Sequence, residues 1–129
     1  MDLPETIKTD TQSTVSFQTF EEQVLESLRT FNFSHSSISQ TAKALGNKDR
    51  GTITDYLRGI CFEQLVYAEF DIHRAAINVA GTDNIEIVAR VEAKIENYLS
   101  SVKLSSRAAA LKGLPKRFHE FLDKVIENL

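Results

Sequence analysis

Apolar residues recur at spacings of three and four along most of this chain, and that period decides its fold class. Val88, Val91, Ile95, Tyr98 and Val102 step by 3, 4, 3 and 4, a heptad-like seam. Phe118, Phe121, Leu122, Val125, Ile126 and Leu129 line one stripe at helical spacing. No segment alternates with the period of two that a half-buried strand needs. Glycine (5) and proline (2) are scarce, which disfavours turn-rich sheet. The expected fold is all-α, a bundle of about six helices.

Punctuation residues divide the chain. Residues 1–15 hold little apolar material and read as a flexible N-terminal arm. Thr19 caps a first helix, with Glu22 completing a capping-box pattern, and Phe20, Val24, Leu25, Leu28 and Phe31 share its inner face. A short helix follows from Ser36, with Ile38, Ala42 and Leu45 on one side and Gly46 as its stop. The turn Asn47-Lys48-Asp49 leads to a second short helix, Arg50 to Arg58, which Gly59 is expected to end. A longer helix is expected from Cys61 to Ala80, with a break near Asp71. Another runs from Ile85 to Val102, and the last opens at Pro115. Residues 16–60 are thus expected to carry the N-terminal helix and a helix-turn-helix. Residues 61–129 form a C-terminal helical extension, compact with the part before it. Phe33 and Phe70 each precede a small-residue helix that ends in glycine, at Gly46 and Gly81. This echo fits either a duplicated helix-turn-helix or the common grammar of helical hairpins.

At 129 residues and net charge −3 the chain is ordinary for one domain. The charge is nevertheless uneven. Residues 1–35 and 59–102 are each net −4, whereas 36–58 are net +2 and 103–129 net +3. Two basic segments in a mildly acidic protein suit a local polyanion footprint, or simple surface scatter.

The basic segment at 36–58 has the form a major-groove reader requires. The groove, about 12 Å wide, admits one helix. A preceding helix braces the reader, and a tight turn sets the angle between them. Arg50 suits bidentate contact with guanine, and Thr52 and Thr54 suit phosphates or a thymine methyl. Gly51 permits close backbone approach. Asp55 repels phosphate yet can accept from cytosine, and Arg58 lies on the same outward face. Lys43 and Lys48 flank the motif and suit phosphates. Lys112, Lys116 and Arg117, at the start of the last helix, are candidates for secondary phosphate contacts. They also suit a plain solvated basic turn.

Thr41-Ala42-x-x-Leu45-Gly46 followed by Arg50-Gly51-Thr52-Ile53-x-x-x-Leu57 resembles the Fis-type helix-turn-helix. That unit is found in bacterial nucleoid-associated proteins and at the C-termini of enhancer-binding transcription activators. The resemblance covers about residues 20–60. It departs from the family pattern by one extra residue between Gly46 and Arg50, and by the roughly 70 residues that follow the unit. It implies a sequence-specific regulator of transcription that binds double-stranded DNA as a homodimer, alone or as part of a larger activator. The helix from Thr19 to Phe31 would supply the dimer contact.

Other chemistry finds little footing. His35, His73 and His119 lack metal-ligand spacing, so no metal site is expected. Cys61 sits in an apolar neighbourhood and reads as a small core residue. No phosphate loop of the Walker type is present, and neither catalytic residues nor a cofactor are expected. No apolar run approaches the roughly 20 residues of a membrane span. The first residues lack the basic start and apolar stretch of a secretory signal. With a single cysteine, the expected location is the reducing cytoplasm. The rival reading is a helical protein–protein or dimerisation module without DNA binding. Its partner surface would be the Val88–Val102 seam and the Phe118–Leu129 stripe.

Overall fold

The computed structural model describes residues 18–129, so the N-terminal arm expected over 1–15 lies outside the described residues. Among the described residues seven α-helices follow one another: α1 (Phe20–Thr30), α2 (Ser37–Ala44), α3 (Arg50–Tyr67), α4 (Ile72–Ala80), α5 (Ile85–Lys103), α6 (Arg107–Leu111) and α7 (His119–Asn128). A 3₁₀ turn, Lys116–Phe118, precedes α7. Among the described residues there is no strand, and the protein is an all-α bundle.

Local chemistry sets the helix starts. Thr19 Oγ1 accepts from the Glu22 amide at 3.1 Å and Glu22 Oε1 accepts from the Thr19 amide at 2.9 Å, the expected capping box. Asp71, Asn84 and Ser106 cap α4, α5 and α6 in the simpler way, each accepting one first-turn amide.

The bundle is built around α3. Its residues Ile53, Leu57, Ile60, Cys61, Phe62 and Leu65 are all buried, and α1, α2, α4, α5 and α7 pack against it. A fully buried Leu, Ile or Phe contributes about 1.5–3 kcal/mol, so this single helix organises much of the core.

The expected stop at Gly59 does not occur, and α3 continues to Tyr67. Gly59 is buried, and a Cβ there would lie 2.0 Å from Phe118 Cδ2. The glycine therefore serves ring packing and not helix termination. A division at residue 60 consequently falls inside α3, which joins the two parts. The expected helix from Cys61 to Ala80 breaks at Asp71, as its capping chemistry suggested, but its first residues belong to α3. Pro115 precedes the 3₁₀ turn, and α7 starts at His119. α6 was not anticipated, since Arg107–Leu111 is too short to show a period.

The echo noted in the sequence is a repeat of backbone geometry. After α1, Asn32 and Phe33 both take positive φ (56° and 50°), and after α3, Glu69 and Phe70 do the same (55° and 67°). The Phe33 amide reaches Leu28 O at 3.0 Å, and the Phe70 amide reaches Leu65 O at 2.7 Å. A left-handed conformation costs a non-glycine residue about 1–2 kcal/mol. Phe33, only 2% exposed, offsets that by burial. Each next helix then closes on a positive-φ glycine, Gly46 (97°) or Gly81 (70°). The following helix starts four residues later, at Arg50 or Ile85. α3 ends one unit and begins the other. Two arginines lock the units together. Arg29 of α1 donates to Asn78 O and Val79 O at the end of α4, and Arg90 of α5 donates to Asn32 O.

Candidate nucleic-acid interface

α2 and α3 meet across a turn whose left-handed residues are Gly46 and Asn47, at φ 97° and 62°. The Lys48 amide bonds Ala42 O at 3.0 Å, which folds the turn back onto α2. Thr41 is buried and its Oγ1 lies 2.9 Å from Ser27 Oγ, tying α2 to α1. Ala42 and Ile53 complete the packing between α2, α3 and the core.

This arrangement leaves the N-terminal end of α3 in solvent. Lys43, Lys48, Arg50 and Gly51 are exposed, and Thr52 and Thr54 are half-buried. Lys48 Nζ sits 5.6 Å from the centre of the Phe20 ring, a cation–π contact that leans it on the start of α1. Lys43, Lys48 and Arg50 form no ion pair among the described residues. Asp49 holds the N-cap position of α3, yet its carboxylate makes no capping hydrogen bond, and the first turn carries no acidic residue. The backbone bonds from this turn come from Thr52 and Ile53, both to Asp49 O, and the Arg50 and Gly51 amides have no backbone partner among the described residues. The exposed helix end thus carries the positive pole of the helix beside Lys43, Lys48 and Arg50, with the Asp49 carboxylate 3.0 Å from where a Gly51 Cβ would stand.

The flank of α3 has a different fate. Two residues along a helix turn by about 200°, so Asp55 lies opposite buried Ile53. That side is covered by the chain's own C-terminal strap. Arg58 donates to Ala110 O at 3.0 Å and to Lys112 O at 3.2 Å, and pairs with Asp55 at 3.5 Å. Its side chain is only 16% exposed. Gly113, at φ 80°, passes so near that a Cβ would meet Asp55 Oδ2 at 2.5 Å. Asp55 and Arg58, expected to face outward, are therefore engaged within the fold. The sequence could not show this, because the covering residues lie more than 50 positions away.

Arg117 is likewise occupied. Nε and Nη2 donate to Glu21 at 2.8 and 2.6 Å, and Nη1 and Nη2 donate to Glu63 at 3.1 and 2.8 Å. Hydrogen bonds to Glu21, then to Glu63, push its pKa above the usual arginine range. Its guanidinium also lies 4.5 Å from the Phe118 ring centre. Glu21 and Glu63 escaped notice in the sequence. The signal was present: Glu63 interrupts the apolar run Ile60–Leu65, and a carboxylate placed there must meet a cation. Lys112 and Lys116, by contrast, are exposed and unpaired among the described residues.

The histidines serve locally. His73 Nδ1 lies 2.6 Å from Glu92 Oε2, and His119 Nε2 lies 2.9 Å from Leu114 O. Among the described residues no three His, Cys, Asp or Glu side chains are placed to hold a metal ion. Cys61 is fully buried, and burial pushes its thiol up to about 12. No helix among the described residues is long and apolar enough to cross a membrane.

The seam of α5 is turned inward, with Val88, Val91, Ile95 and Val102 all buried. So are Phe118, Phe121, Leu122 and Val125 of the last stripe. The repeat unit's second turn, at Gly81, presents Asp83, Ile85 and Glu86 in place of the cations of the first. Compared with known proteins, the chain matches no family model, no curated protein and no solved structure.

Proposed function

We propose that this protein binds double-stranded DNA through the exposed N-terminal end of α3, as a helix-turn-helix regulator of transcription. The observation that carries the reading is the exposed first turn of α3, whose N-cap Asp49 makes no capping bond, beside Lys43, Lys48 and Arg50. The helix enters end-on: Arg50, Gly51, Thr52 and Thr54 face base edges while Lys43 and Lys48 contact phosphates. Asp55 and Arg58 leave the list of readers and join the scaffold. The Fis-type resemblance, which rests on the same residues, supports the reading and adds homodimer formation to it. The acidic start of α5 supports binding by the first unit alone.

The rival, a helical interaction module, is weakened because the two apolar stripes it requires are spent on the core. The test is retention of mixed-sequence genomic duplexes at two salt concentrations. Neutralising the two phosphates met by Lys43 and Lys48 predicts that log K falls with log salt at a slope of about −1.8 or steeper. Absent retention at 50 mM salt, or affinity indifferent to salt, refutes the proposal.

A further inference from the structure

We infer that the loop Lys112–Lys116 is a second phosphate-contacting element, held beside α3 so that one duplex meets both. The inference rests on the DNA-binding reading of α3 and adds to it a second, non-contiguous segment of the chain.

The loop is fixed at both ends. At its start, the Arg58 fork grips Ala110 O and Lys112 O. At its far end, Arg117 is forked to Glu21 and Glu63, and Phe118 lies against Gly59 with no room for a side chain between them. Between these anchors Leu114 is 5% exposed, and its carbonyl lies 2.9 Å from His119 Nε2. The apolar residues of the loop thus turn inward, while Lys112 and Lys116 stay in solvent.

The loop meets α3 along one flank, Gly113 against Asp55, Lys112 O on Arg58 and Phe118 against Gly59. Asp55 is five residues from Arg50, so the Gly113 contact lies about 7.5 Å along the axis from the exposed helix end. The major groove is about 12 Å wide, so a helix end inside it has a phosphate strand within lysine reach on either flank. The loop therefore offers two cations to a strand bordering the groove that receives Arg50. It carries no acidic side chain; Asp55 beside Gly113 already pairs with Arg58, and Glu21 and Glu63 beside its far end pair with Arg117.

The experiment is a salt titration of duplex binding by the intact chain and two double variants. Lys112→Ala with Lys116→Ala removes the proposed contacts from exposed positions. Lys103→Ala with Lys124→Ala removes the same charge elsewhere; Lys124 lies beside Val66, near the other end of α3. With four contacts the parent slope is about −3.6, and the loop variant's slope is shallower by about 1.8, while the control variant keeps the parent slope. Thermal melts confirm that both variants fold. A loop variant with the parent slope overturns the inference and leaves the α3 reading intact. An equal loss in the control variant overturns it too, by assigning the effect to net charge. If the parent chain fails to retain duplex, the α3 reading falls and the loop proposal falls with it.

Discussion

Gly59 and Cys61 stand two positions apart in α3, and both owe their identity to what surrounds them. Cys61 is 0% exposed, and its thiol is held neutral by burial. Because the folded pKa is raised, the folded state keeps a proton that the unfolded chain releases. Stability is therefore full below the ordinary thiol pKa, about 8.5, and is lost as pH rises from there toward about 12. The loss is about 1.4 kcal/mol per pH unit in that window. Cys61→Ala lacks this component. Urea unfolding from pH 7 to 10.5 under reducing conditions should show a constant gap between parent and variant below pH 8, narrowing above 9. Parallel profiles across the range would show that the thiol titrates freely in the folded protein.

At the scale of elements, α3 poses two opposed effects at one position. Alanine in a helix interior is favoured over glycine by about 0.5–1 kcal/mol. At Gly59, however, the added Cβ would meet three ring atoms of Phe118 at 2.0–2.5 Å. Overpacking costs about 1–3 kcal/mol or more, and a ring wedged between α3 and α7 has little room to yield. Gly59→Ala should lower the unfolding free energy by about 1–2 kcal/mol in urea. A stabilised variant would mean that Phe118 is not seated on α3. The same residue shows where the sequence is legible. Helical period, the Thr19 box, the Asp71 break and the Gly46 and Gly81 stops are local signals, and the structure contains all of them. Gly59 carries the same letter as Gly46 but a distant partner, so it reads falsely as a stop. Arg58 and Asp55 fail for that reason too, because a strap that no local spacing reveals covers them, and Arg117 fails because its partners Glu21 and Glu63 lie 96 and 54 positions away.

The whole molecule divides α3 into a free end and a covered flank. Helices α1 and α2 hold the end forward. The strap from α6 to the 3₁₀ turn closes the flank through Arg58, Gly113 and Phe118. On this account basic residues have two distinct jobs, anchoring the fold or meeting an anion, and Arg58 and Arg50 exemplify them. The most direct measurement compares these two by duplex binding and urea unfolding side by side. Arg50→Ala should cost about 1–3 kcal/mol of binding and leave the unfolding midpoint unchanged. Arg58→Ala, which frees two backbone carbonyls, should lower stability by about 1–3 kcal/mol, with binding falling only as the folded fraction falls. Duplex binding by Arg50→Ala equal to that of the parent would contradict the account.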